Sequence, residues 1–306
     1  MREMERSPRP RLMAGREPKV GVVVLLALAL AFGAGMLLGR ELDDEADDSE
    51  ASAGTRPRVV VAEERIEDAL GDAEQEIPDA TQAITQRFQT EGGATPESMG
   101  AFLDQVVANV HRYWTQTLAG VGISEPVVTF ATLAPGERVQ TSCLSPDRTP
   151  AIADDHAAFY CPGDDTIYVA ERFATELWQG INADFPGAQA GYGRAVGDFG
   201  VAYVVAHEYA HNVQQDVGYL NSPRPLATRA LELQADCMAG LWGNSAYHQG
   251  LLEPGDVEEA ISTALAAGDF DIYSAGHHGT PEERRHAWAN GFRNGDPTVC
   301  NRFLAR

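Results

Sequence analysis

The run from Val20 to Gly39, VGVVVLLALALAFGAGMLLG, carries no charge. Twenty residues at about 1.5 Å each reach about 30 Å, the thickness of a bilayer's hydrocarbon core, so the stretch predicts a membrane-spanning helix over 20–39. Arg2, Arg6, Arg9, Arg11, Arg16 and Lys19 precede it, and beyond Arg40 come Glu41, Asp43, Asp44, Glu45, Asp47, Asp48 and Glu50. The cation bias places residues 1–19 in the cytoplasm and everything after the helix outside. A cleaved signal peptide is the alternative, with Ala29 and Ala31 as its small-residue pair. The apolar run continues past that pair, beyond the roughly 7–15 residues of a signal core. Either way the bulk of the chain is exported.

Residues 40–91 are acidic and weakly patterned, as in a solvated linker or stalk. Residues 92–306 carry the hydrophobic periodicity and are expected to form one extracytoplasmic domain. With 23 Lys plus Arg against 45 Asp plus Glu, a formal charge of −22, the chain is a poor binder of nucleic acid. Its glycines form no G-x-G-x-x-G or P-loop pattern for a nucleotide. Cys143, Cys161, Cys237 and Cys300 are an even number in an oxidising compartment, which suggests two disulfides. Chain order favours Cys143 with Cys161 and Cys237 with Cys300. A structural zinc site is the rival, but no C-x-x-C pair is present, and free buried thiols are the remaining alternative.

Thr95 as N-cap with Pro96 at the first helical position, then Phe102, Val106, Val110, Tyr113 or Trp114, and Leu118, predicts a helix. VVTFATL at 127–133 predicts a strand, and 157–160 and 166–170 predict two more around the turn CPGDD. Helical patterns follow at 171–179, 197–217, 226–243, 254–267 and 281–291. A small sheet followed by a helical region is an α+β fold.

The segment VAYVVAHEYAHNVQQ contains His207-Glu208-Tyr209-Ala210-His211. Residues four apart share a helix face, so both imidazoles can reach one metal ion, with zinc the natural occupant. Glu208, beside the first ligand, is placed to take a proton from activated water. The apolar residues before His207 suit a buried helix better than two surface histidines around a solvated Glu. A catalytic zinc needs a third protein ligand and an open position. Downstream, LELQAD offers Glu232 and Asp236 on one face. Glu232 can complete the ligand set, while Asp236 can accept the free ring N–H of a ligand histidine. The loop at 221–225 would let the second helix fold back across the first.

These segments resemble those of the bacterial membrane-anchored neutral zinc metallopeptidases, in which an H-E-x-x-H helix followed by V-Q is succeeded by L-E-L-Q-A-D-C. Here they read AHEYAHNVQ and LELQADCMAGLW, with YCPGDDTIYV before them and HGTPEERRHAWANGF after. The likeness covers roughly Met99 to Cys300. It implies a zincin-like fold, bound zinc and a peptide or protein substrate. The E-x-x-x-D element is similar to that of thermolysin-like zincins, which by analogy makes Glu232 the third ligand.

His278, in the loop AGHHGTP, is a candidate donor to the oxyanion formed when water attacks a carbonyl. A structural role capping the helix near Pro281 is its alternative. Tyr203, Tyr209 and Tyr219 are further candidate donors, more often core residues. The sequence identifies no partner for His111, His156, His248 or His286, which are expected at the surface or in packing. The reading is a membrane-anchored zinc metallopeptidase with Glu208 as general base. Its rivals are a non-catalytic zinc-binding envelope scaffold, an interaction protein without metal, and a zinc amidase acting on a non-protein amide. Substrate identity and oligomeric state are not legible.

Overall fold

The computed structural model describes residues 98–145 and 148–304. The expected membrane helix, linker and stalk lie outside the described residues, as do Thr95 and Pro96. Among the described residues no helix is long and apolar enough to cross a membrane.

Helix α1 (Met99–Ala119) starts on Ser98, whose hydroxyl accepts from the Ala101 N–H, and buries Leu103, Val106, Val110, Trp114 and Leu118 along one stripe. Three strands form the main sheet. β1 (Thr129–Leu133) runs parallel to β5 (Thr166–Ala170), and β4 (Ala158–Cys161) pairs antiparallel on the other side of β5. Every residue of β5 is buried, as its central position requires. A separate hairpin, β2 (Val139–Leu144) with β3 (Pro150–Ala153), has no counterpart among the sequence expectations. VQTSCL places polar residues on both faces of a mostly exposed ribbon, so no alternation marks it. The Cys143–Cys161 disulfide fastens this hairpin to β4.

The helical region follows: α2 (Glu171–Trp178), α3 (Pro186–Gln189), α4 (Asp198–Asp216), α5 (Thr228–His248), α6 (Asp256–Ala267), α7 (Pro281–Asn294) and a closing 3₁₀ helix (Pro297–Leu304). The architecture is α+β, with a small sheet and then helices. α4 is its axis. Phe199 to His207 are all buried, the pattern of a helix enclosed on every side. α5 runs on to His248, past the expected end at Gly243. Past Gly243 the helix still packs on α7, the Tyr247 ring lying 6.1 Å from that of Phe292, and before it Gly240 and Gly291 lie where α5 and α7 touch backbone to backbone. A Cβ at Gly240 would stand 2.1 Å from the Trp288 carbonyl oxygen, and one at Gly291 would stand 1.9 Å from that of Cys237. The Cys237–Cys300 disulfide ties the 3₁₀ helix to α5 at the same place.

Candidate metal site

His207 and His211 sit one turn apart on α4, and α5 folds back so that Glu232 meets them. The two Nε2 atoms are 3.2 Å apart, Glu232 Oε2 is 3.2 Å from His207 Nε2, and Glu232 Oε1 is 3.5 Å from His211 Nε2. Bonds of about 2.1 Å to a tetrahedral ion imply ligand edges of about 3.4 Å. The two imidazole nitrogens and the Glu232 carboxylate, which meets each ring through a different oxygen, therefore stand at spacings close to the edges of a zinc-sized tetrahedron. Their chemistry fits too, two imidazoles and a carboxylate being a usual catalytic zinc set.

Both rings are turned by hydrogen bonds at their other nitrogen. His207 Nδ1 is 2.8 Å from Asp236 Oδ1, and His211 Nδ1 is 2.9 Å from Gln214 Oε1. Each acceptor holds a ring proton at Nδ1, so that the two Nε2 atoms face one another across the site. Asp236 is fully buried and fully engaged. The Tyr203 hydroxyl donates to it at 2.5 Å, and Arg284 donates through Nε at 2.8 Å and Nη2 at 2.9 Å. Arg284 also donates to the Ala267 carbonyl, and its Nη2 lies against the His207 ring, 3.4 and 3.5 Å from the two nitrogens. Burial disfavours the Asp236 carboxylate, yet Arg284 and His207 overcome it and hold its pKa down to about 2. For Glu232, burial acts upward and is outweighed by His211 and His207, which carry it well below the carboxylate range. Burial pushes His207 down, while Asp236 and Glu232 pull it up to about 10.

Sequence reasoning passed over Arg284 and Gln214. A signal existed for each: Gln214 lies one turn beyond His211, and Arg284 follows the HGTP turn in a helix whose other inward residues, Asn290 apart, are apolar. Tyr203 was weighed as an oxyanion donor, but its hydroxyl is committed to Asp236, and that of Tyr209 lies 2.6 Å from His111 Nδ1. His111 also meets Glu125 at 3.0 Å, so it has partners that the sequence did not reveal.

The site opens on a cleft of about 490 Å³ lined by Glu208, His278, His156 and Arg284 among others. Glu208 is not one of the three converging ligands. Its Oε2 accepts the Tyr160 backbone N–H of β4 at 2.8 Å. His278 is half exposed at the rim, where Asp269 accepts its backbone N–H at 2.8 Å and lies 3.3 Å from its Nδ1. Helix α7 is capped by Thr280, in a reciprocal box with Glu283, so His278 is not needed as its cap. His277, its neighbour, is buried against Asp269 instead, at 2.5 Å.

A second cluster lies at the start of α4, where Asp198, Asp256 and Glu259 bring carboxylate oxygens within 4.8 Å of one another. Burial raises Glu259 to about 9, and Asp198 and Asp256 add to the effect. Asp256 is raised by burial, and further by Asp198, to about 7.

Uncharacterized protein YpfJ of Escherichia coli strain K12 is 38% identical over 165 residues, covering 47% of this chain and 53% of that protein. Uncharacterized protein Rv2575 of Mycobacterium tuberculosis strain H37Rv and uncharacterized protein Mb2605 of Mycobacterium bovis are each 34% identical over 175 residues, covering 48% of this chain and 55% of theirs. The chain thus spans about half the length of the curated relatives it matches. No solved structure matches it. Residues 65–303, a span that begins inside the acidic stretch read as a stalk and takes in the whole candidate site, match one family, and the chain belongs to it: the family described as "Putative neutral zinc metallopeptidase".

Proposed function

We propose that the protein is a zinc-dependent peptidase with a zincin-like active site, held outside the membrane by residues 20–39. The observation that carries the reading is the tetrahedral spacing of His207, His211 and Glu232 beside a cleft into which Glu208 points without joining them. Three protein ligands and an open fourth position belong to a catalytic zinc, whereas a structural zinc is closed by a fourth ligand. Two disulfides agree with an oxidising, extracytoplasmic location.

Zinc bound there supplies a Lewis acid that acidifies water and polarises a carbonyl. Glu208 takes the proton of the attacking water and returns it to the leaving amine. The Tyr160 N–H fixes one Glu208 oxygen and leaves the other for that water. Asp269 engages His278 Nδ1 and so orients the ring at the rim of the cleft, where it is the candidate donor to the carbonyl oxygen. The Tyr160 N–H also gives the direction of the edge of β4. It points at Glu208 rather than at β5, and by the alternation of antiparallel pairing the backbone of Ala158 faces the same way. An extended peptide can add to that edge as a further strand, which favours a peptide over an isolated amide.

The test is zinc content and peptide hydrolysis of the full chain in detergent, wild type beside Glu208→Gln. About one zinc per chain is expected in both. Hydrolysis is expected to fall by about 10²–10⁴-fold in the variant. Full activity in Glu208→Gln would refute Glu208 as the base. A folded wild type that takes up no zinc would refute the enzyme.

A further inference from the structure

The cleft has two halves, set by where their walls meet α4. α2 packs against the first turns of α4: Gly197 N–H donates to the Trp178 carbonyl, and a Cβ at Gly200 would touch Leu177. Phe173, one turn earlier on α2, therefore lines the half before the metal ligands, with Val204 and with Phe185, whose ring centre is 6.1 Å from that of Phe173. The other half lies beyond His211. There Gln215 donates to the Pro162 carbonyl, and Gln214 donates to the Leu231 carbonyl. Pro162, Leu220 and Leu231 line it. β4 runs alongside in the same direction as α4, since Tyr160 meets Glu208 and Pro162 meets Gln215. A peptide on that edge would cross both halves.

The charged side chains lining the cleft are few and engaged. Glu232 stands with the metal ligands and Glu208 is the base. The Arg284 guanidinium is held by Asp236 and the Ala267 carbonyl. Among the described residues neither half offers a free Lys, Arg, Asp or Glu to a substrate side chain, and desolvating a charged side chain against Phe173, Phe185 or Leu220 would be unfavourable.

From this we infer that the substrate is an extended peptide segment with large apolar side chains on both sides of the scissile bond. Such segments are buried strands in folded proteins and become accessible in unfolded ones. Small or acidic peptides, including those of Ala and Glu, are disfavoured. The inference rests on the peptidase reading and narrows it.

The test uses the zinc-loaded full chain in detergent and internally quenched peptides of equal length, differing only in the two central residues: Phe-Leu, Phe-Ala, Ala-Leu, Ala-Ala, Asp-Asp and Lys-Lys. Removing methylenes from a side chain in an apolar pocket changes kcat/KM by about 10–200-fold. Phe-Leu is expected to exceed Ala-Ala by at least about tenfold, with Phe-Ala and Ala-Leu between them and the charged peptides lowest. Phe173→Ala should shrink the preference at one central position, and Leu220→Ala at the other. The wild-type series decides the matter even if a variant fails to fold. Equal cleavage of all six, or faster cleavage of Ala-Ala or Asp-Asp, would overturn the apolar preference and leave the peptidase standing. Cleavage of none by zinc-loaded protein would overturn both.

Discussion

Helix α4 has a cluster of ionisable groups at its start and another in its second half, and the two solve the same problem in opposite ways. Each brings three ligand atoms within 4.8 Å of one another. At His207, His211 and Glu232 the charges are compensated: imidazoles face a carboxylate, and Arg284 neutralises Asp236 from behind. At Asp198, Asp256 and Glu259 the charges acting most strongly on Glu259 are those of the other two acids, and its carboxyl is driven toward the protonated form. A buried carboxylate stays ionised where a cation or hydrogen-bond donors accompany it, and otherwise holds its proton. The acidic cluster is thus neutralised by protons, and the His207 cluster by its own partners. The oriented partners behind the ligands distinguish the two.

The comparison breaks most plainly on metal content. Glu232→Ala should lose the zinc that the wild type retains after dialysis, whereas Glu259→Ala should leave zinc content unchanged. Equal loss in the two variants would show that the acidic cluster also governs the metal. Arg284→Met sharpens the contrast by taking away the compensation. It leaves Asp236 buried with only the Tyr203 hydroxyl and the His207 ring as partners, for which a cost of about 3–5 kcal/mol is expected in urea unfolding. Arg284→Lys should recover only part of this, because an ammonium cannot make the two parallel bonds to Asp236. Full stability in Arg284→Met would mean that Asp236 does not depend on the guanidinium.

How far the sequence could be read follows the same division. His207, Glu208 and His211 were legible because helical spacing fixes their geometry locally. Glu232 and Asp236 were legible because the same four-residue spacing recurs in an apolar helix. Arg284 was not, since 48 residues separate it from Asp236 and only the crossing of α5 and α7 brings them together. That crossing is itself written in glycines, Gly240 and Gly291, which read in one dimension as helix weakness and in three as contact. β4 and β5 were legible from β-branched and aromatic runs around a turn. The β2–β3 hairpin was hidden, because a solvated ribbon held by a disulfide needs no apolar face. Asp198, Asp256 and Glu259 carried no signal, as acids at helix starts are ordinary.

The pH dependence of stability tests the acidic cluster directly. An unfolded Glu has a pKa near about 4.3, and folding raises that of Glu259 to about 9. Between those values the native chain holds a proton that the unfolded chain has released. Stability supplied by this group is therefore complete below the unfolded pKa and is lost as pH rises toward the folded one. Glu259→Gln keeps the shape and removes the titration. Its melting temperature relative to the wild type should be nearly constant around pH 4 and rise steadily from pH 5 to 9. Each kcal/mol recovered is worth about 2–4 °C in a domain of this size. Taking the difference at each pH cancels the titration of His207, His211 and Glu232, which both proteins share. A difference that stays flat across the range would mean that Glu259 is ionised in the native state, and the contrast between the two clusters of α4 would then rest on geometry alone.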